Sequence, residues 1–189
     1  MRATELLAKQ HQIVHARIAG LQSFSNKEWM ARPGPGRNRI GFTAWHMVAT
    51  RDWTIRAILQ GERPIGWDSP FDGTAVARCA IPFGMPLEEA DAIAESVSPA
   101  DVAAYSEAVT GEILRWLART EDVVLESPPP NGRTHLALSP RYSEAAYRHE
   151  LDSNPAPMTD WATWQLLTRP AFAHCLFHLE EMEFARSNA

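Results

Sequence analysis

Apolar residues recur at the spacing of an α-helix in four long stretches of the chain. The first covers about residues 4–23, and its apolar face carries Leu7, Val14, Ile18 and Leu21. The third begins with Ser98 as N-cap and a proline at the first helical position, and it ends near Thr120. The fourth runs over about residues 170–186. No alternating strand pattern persists, so the pattern predicts an all-α protein.

The second stretch, over residues 38–60, is apolar on two sides. A helix of this kind is expected deep inside a bundle, because both faces need to be covered. We predict that Asn38 is its N-cap and that Gly61 ends it.

The segments between these stretches are rich in turn-forming residues. Residues 61–98 form a long connection with a short predicted helix from Pro86 to Val97. Residues 121–157 are loop-rich, with a short helix predicted over residues 143–151 and a turn over residues 158–167. We therefore predict one domain, residues 1–189, folded as a four-helix bundle. The long crossover would let helices two and three run parallel.

Composition narrows the classes of function. A chain of 189 residues with a formal net charge of −5 and a pI near 5.8 lacks the basic surface that nucleic-acid binding needs. No apolar run is long enough to cross a membrane, and no signal region opens the chain. Cys79 and Cys175 do not form a disulfide framework, so we expect reduced thiols in a cytoplasmic protein.

Three histidines are the main candidates for a functional site, as ligands of a metal ion. His174 and His178 are four residues apart on the last predicted helix, so both imidazoles lie on one face. His46 lies on the second predicted helix, which is apolar on two sides. Three neutral imidazoles suit zinc or another divalent transition metal and leave a coordination position open. The alternative is a hydrogen-bonded core pair without metal.

Glu181 shares the arc of these histidines, whereas Glu180 lies about 120° away and is expected in solvent. Glu181 is therefore the candidate for orienting a ligand imidazole or for acid–base chemistry. A salt bridge to an arginine is the alternative for Glu181.

For the other histidines, Cys175 and the tryptophans, the sequence favours structural roles. His11 lies at the edge of the first helix's apolar face and His15 lies about 100° off it, so we expect no metal there. His135 and His149 are predicted to be solvated. Cys175 is expected to be a small core residue. Four tryptophans could either wall a pocket or fill the core, namely Trp45, Trp53, Trp161 and Trp164.

Two motifs resemble those of DinB-like proteins. The stretch Asn38-Arg-Ile-Gly-Phe-Thr-Ala-Trp-His46, followed by Asp52-Trp53, is similar to the start of that family's second helix. His174-x-x-x-His178-x-x-Glu181 resembles the family's C-terminal motif, with Glu180 where many members have glycine. The resemblance covers nearly the whole chain in helix order and loop placement.

This resemblance implies an up-down-down-up four-helix bundle whose metal ligands are His46, His174 and His178. It also implies a homodimer and kinship with the N-terminal domain of mycothiol-dependent maleylpyruvate isomerases and with thiol-dependent S-transferases. The expected cofactors are a divalent metal (zinc, nickel, iron or manganese) and a low-molecular-weight thiol. The partner would be a small-molecule substrate or thiol. The alternative function is a non-catalytic metal- or ligand-binding module of a stress response.

Overall fold

The structure, a computed structural model, describes residues 1–68, 71, 85–137 and 158–187. All regular structure in these ranges is helical, without β-strands. The helices are α1 (Ala3–Gly20), α2 (Asn26–Trp29), α3 (Ile40–Asp52), α4 (Leu87–Ser96), α5 (Pro99–Arg119), α6 (Asp122–Leu125), α7 (Gly132–Ala137), α8 (Thr163–Thr168) and α9 (His174–Ser187). The helix predicted over residues 143–151, together with Cys79 and His149, lies outside the described residues.

Four long helical segments match the predicted ones. Helix α1 continues into a 3₁₀ turn over Leu21–Ser23, and α5 begins at Pro99 behind its predicted cap. The Ser98 hydroxyl accepts a hydrogen bond from the Asp101 amide at 3.2 Å, and the Asp101 carboxylate accepts one from the Ser98 amide at 2.9 Å. This reciprocal capping explains why the start of α5 could be predicted to the residue.

The start of α3 corrects one prediction, because the N-cap is Arg39 and not Asn38. No side chain caps this helix end. The Ile40 amide donates instead to the Ala31 carbonyl at 2.9 Å. The acceptor for this free amide at the helix start therefore comes from a loop residue nine positions earlier in the chain. A capping preference read from neighbouring residues cannot reveal such a contact.

Helix α3 is the central helix, and each of its residues is buried. It continues as a π-helical segment over Trp53–Gln60 and ends at Gly61 in the left-handed conformation, with φ of 68°. The predicted stop at Gly61 is therefore confirmed. Trp45 and Trp53 are fully buried and belong to the core, whereas Trp164 is 44% exposed.

The C-terminal helical segment begins before the predicted position. Helix α8 starts at Thr163, a π-helical turn covers Arg169–Ala173, and α9 follows without a break. Pro170 was expected to start this helix, and it lies inside the π-turn instead. Proline lacks an amide hydrogen, and a local change of helical pitch is a common way to accommodate it.

Helices α1, α3, α5 and the α8–α9 segment share one apolar core. Helix α4, which lies in the connection between α3 and α5, packs against α3. None of the helices that the structure describes combines the length and the apolar character needed to cross a membrane.

Candidate metal centre

Two helices distant in sequence bring the three candidate histidines together. His46 lies in the middle of α3, and His174 and His178 occupy the first two turns of α9. The π-turn Arg169–Ala173 directly precedes His174. Local π-helical geometry is frequent at functional sites, because it changes the direction in which the following side chains point.

The ring nitrogens converge on a single region. Nε2 of His174 lies 3.1 Å from Nε2 of His46 and 3.1 Å from Nε2 of His178. The ligand atoms of all three residues lie within 4.8 Å of one another. In the part of the chain that the structure describes, this group of three residues could hold a metal ion.

The arrangement fits a metal better than it fits hydrogen bonds alone. A ring nitrogen carries either one proton or one lone pair, so Nε2 of His174 can form only one in-plane hydrogen bond with its two imidazole neighbours. A tetrahedral zinc with bonds of 2.0–2.1 Å would separate two ligand nitrogens by about 3.3 Å. The observed 3.1 Å separations are close to that value.

Glu181 lies beside the three histidines and selects one tautomer of His178. Nδ1 of His178 donates to Oε2 of Glu181 at 3.0 Å. With its proton held at Nδ1, His178 presents the lone pair of Nε2 toward His174. Glu180 is exposed, as its helical phase predicted.

The surroundings of His174 favour its neutral form. Burial, together with the neighbouring His178, lowers the pKa of His174 from 6.5 to about 4. His174 is therefore neutral near pH 7, as a metal ligand needs to be. Its Nδ1 atom is buried without a hydrogen-bond partner among the described residues.

Aromatic rings surround the imidazoles. The Phe42 ring stacks on His46 with 5.8 Å between ring centroids, and the Phe177 ring meets His178 edge-on at 5.5 Å. The Phe42 ring beside His46 is buried, whereas the Phe177 ring beside His178 is 64% exposed. The buried Phe42 ring therefore covers one face of the His46 imidazole. Of the tryptophans considered as pocket walls, Trp161 packs against Arg169 instead, with 5.1 Å from guanidinium to ring centroid.

Cys175 stays apart from the centre, as predicted. It is fully buried, and its Sγ lies 3.8 Å from the carbonyl oxygens of Met47 and Ala171. Burial raises the pKa of its thiol to about 11, so it is a core residue and not a thiolate ligand.

Two other histidines differ from expectation. His11 was placed at the edge of the core and is completely buried. His135 was predicted to be solvated, yet it is half-buried and its Nδ1 lies 3.0 Å from the Ile58 carbonyl oxygen. In both cases a neighbouring helical segment of the same chain covers the side chain. The position of a residue on its own helix does not reveal such a contact. His15 is half-buried and its Nδ1 lies 3.2 Å from the Ser106 hydroxyl.

The buried carboxylate of Asp52 has a structural role that the sequence did not reveal. It accepts hydrogen bonds from the Tyr105 hydroxyl at 2.6 Å and from the amides of Ile65 and Gly66 at 3.0 and 2.9 Å. These bonds fasten the 3₁₀ turn Ile65–Trp67, at the start of the crossover, to the end of α3. The available signal was two successive charged residues, Arg51 and Asp52, in an otherwise uncharged helix.

Comparison with known proteins does not name a family for this chain. No model of a protein family matches it, and no curated protein sequence is significantly similar to it. The assignment of chemistry therefore rests on the centre itself and on the resemblance in its motifs.

Proposed function

We propose that this protein is a metal-dependent enzyme of the DinB-like kind, with His46, His174 and His178 as ligands of a divalent transition metal. The observation that carries the proposal is the convergence of three Nε2 atoms, with His174 at 3.1 Å from each of its neighbours. An up-down-down-up order of the four long helices belongs to the same proposal, and the helical content is consistent with it.

The donor set determines the chemistry. A bound metal would lower the pKa of a thiol or a water that completes its coordination. Three neutral imidazoles contribute no negative charge, so the ion keeps its full charge for that purpose. Among the described residues, no fourth side chain joins the group, which favours a reactive centre over a structural one.

The reaction that we propose is transfer of a small thiol to an electrophile, or a thiol-assisted isomerisation. In the transfer, the thiol loses its proton, its sulfur forms a bond to an electrophilic carbon, and the leaving group departs with the bonding electrons. Glu181 holds the proton of His178 at Nδ1 and orients that ring, and we propose it as the proton acceptor nearest the centre.

A non-catalytic metal-binding module is the second candidate. It is favoured by the hydrogen bond that Glu181 accepts from Nδ1 of His178, because a carboxylate engaged in orienting that ring is less available for proton transfer. A homodimer and a cytoplasmic location remain predictions from the sequence.

The first experiment is elemental analysis of protein purified without an affinity tag. We expect about one zinc, nickel, iron or manganese ion per chain, and a spectrum of the Co²⁺-substituted protein that changes when small thiols are added. A screen of thiols against electrophilic acceptors then tests turnover. Metal without a thiol response or turnover would favour the non-catalytic module, and absence of metal in both the purified and the reconstituted protein would refute the proposal.

A further inference from the structure

The second histidine pair, His11 and His15, lies beside a buried arginine and does not form a metal site. Arg51 of α3 is fully buried and reaches toward α1 and α5. Its Nη2 donates to the Thr110 hydroxyl at 3.0 Å and lies 3.5 Å from the His11 carbonyl oxygen. Its Nη1 donates to the Ser106 hydroxyl at 3.3 Å. We call these five residues the Arg51 cluster.

Among the residues that the structure describes, no carboxylate balances the positive charge of Arg51. An arginine stays protonated in a protein, so burial does not neutralise it. In the ranges that the structure describes, Arg51 forms no ion pair, and its hydrogen-bond acceptors are two hydroxyls and a carbonyl. Glu107, whose charge opposes the lowering of the His15 pKa, is exposed and forms no ion pair with Arg51. A buried cation without a counter-charge is strongly unfavourable.

Several polar atoms of this region also lack hydrogen-bond partners. Nε of Arg51 and both ring nitrogens of His11 are buried without a partner among the described residues. The hydroxyl of Thr50, the residue before Arg51, is also buried and has no partner in the described ranges. Buried polar groups in folded proteins are nearly always satisfied by protein, water or an ion. The unsatisfied donors and the unbalanced charge lie in the same part of the core.

We propose that the Arg51 cluster is a buried binding site for a small monovalent inorganic anion such as chloride. The guanidinium supplies the charge, and the hydroxyls of Ser106 and Thr110 and the His11 ring supply further donors. A metal cation is excluded from the His11–His15 pair by the fixed positive charge between α1 and α5. This site is separate from the metal centre and does not depend on the proposed enzyme function.

Bromide in place of chloride tests the site directly. Crystals of the full-length protein grown in sodium bromide should show an anomalous difference peak at the bromine edge, within hydrogen-bonding distance of the Arg51 guanidinium. An ordered Arg51 side chain with a water molecule or no density in that position would overturn the proposal.

A solution experiment adds matched variants. At constant ionic strength, replacing gluconate by chloride should raise the melting temperature of the wild type by several degrees, because the anion binds only the folded state. Arg51→Met should lose this shift, and Arg17→Met should keep it, because Arg17 is at the surface in an ion pair with Glu183. Equal chloride dependence in all three proteins would overturn the proposal. If Arg51→Met does not fold, the bromide map of the wild type decides the question.

Discussion

Nε2 of His46 and Nε2 of His174 lie 3.1 Å apart, although 128 positions separate the two residues in the chain. One is in the central helix and the other in the C-terminal helix, so their contact forms only when the bundle is assembled. A metal held by both would join α3 to α9 and would bind the folded state in preference to the unfolded one.

The two histidine pairs of the chain should differ in metal content. His174→Ala or His178→Ala should remove most of the bound metal, because each deletes one of three converging nitrogens. His15→Ala is the matched control, since His15 contacts Ser106 and lies outside the centre. Elemental analysis of the purified variants gives the answer. A loss in His15→Ala equal to that in His174→Ala or His178→Ala would show that the centre has been assigned to the wrong residues.

Neighbouring glutamates provide the next comparison. Glu181→Gln should weaken metal affinity by about 10–100-fold, because the ring of His178 loses the carboxylate that fixes its tautomer. Glu180→Gln should leave the affinity unchanged, because Glu180 is exposed. Competition titrations with a chromophoric chelator measure both values. A larger effect at Glu180 would contradict the position of Glu181 in the centre.

Asp52 should make stability depend on pH in an unusual direction. Burial raises the pKa of its carboxyl from an ordinary value of 3.8 to about 6, although hydrogen bonds from Tyr105, Gly66 and Ile65 oppose the shift. The folded state therefore holds this proton more tightly than the unfolded state does. The resulting stabilisation is fully present below about pH 4 and is lost as pH rises through about 6.

Asp52→Asn is the variant that isolates this contribution. The difference in the free energy of unfolding between the wild type and Asp52→Asn should shift against the wild type as pH rises from 4 to 7. Urea unfolding of both metal-free proteins at several pH values measures the difference. A pH-independent difference would show that the carboxyl of Asp52 titrates normally in the fold.

Gly61 should tolerate substitution poorly. Its φ of 68° disfavours any residue with a Cβ, and an added Cβ would also meet the imidazole of His135. Gly61→Ala should cost about 1–3 kcal/mol of stability. Gly20→Ala is the control, because Gly20 has helical dihedral angles and open space around it. Chemical denaturation of both variants should show a loss at Gly61 alone, and equal stability would contradict the strained helix end.

Much of the fold could be predicted because the decisive signals are local. The apolar period located the long helices. Ser98 as N-cap, followed by a proline, located the start of α5, and Gly61 located the end of the second helix. The inward direction of His174, His178 and Glu181 followed from the same period.

Other features depend on contacts between distant segments. The start of α3 relies on the Ala31 carbonyl, which no capping preference reveals. His11 and Arg51 are buried because α1, α3 and α5 pack around them, although residue type alone favours full burial for neither. The 3.1 Å approach of His46 to His174 likewise required the assembled bundle.

The most direct test of the central claim is a set of paired thermal melts of wild type and His46→Ala, with and without added metal. At a hundredfold excess of metal over its dissociation constant, the folded wild type should gain about 2.7 kcal/mol. His46→Ala should lose most of the corresponding rise in melting temperature with zinc, nickel or manganese. If His46→Ala keeps the full metal-dependent rise, His46 is a core histidine and the three-histidine centre does not exist.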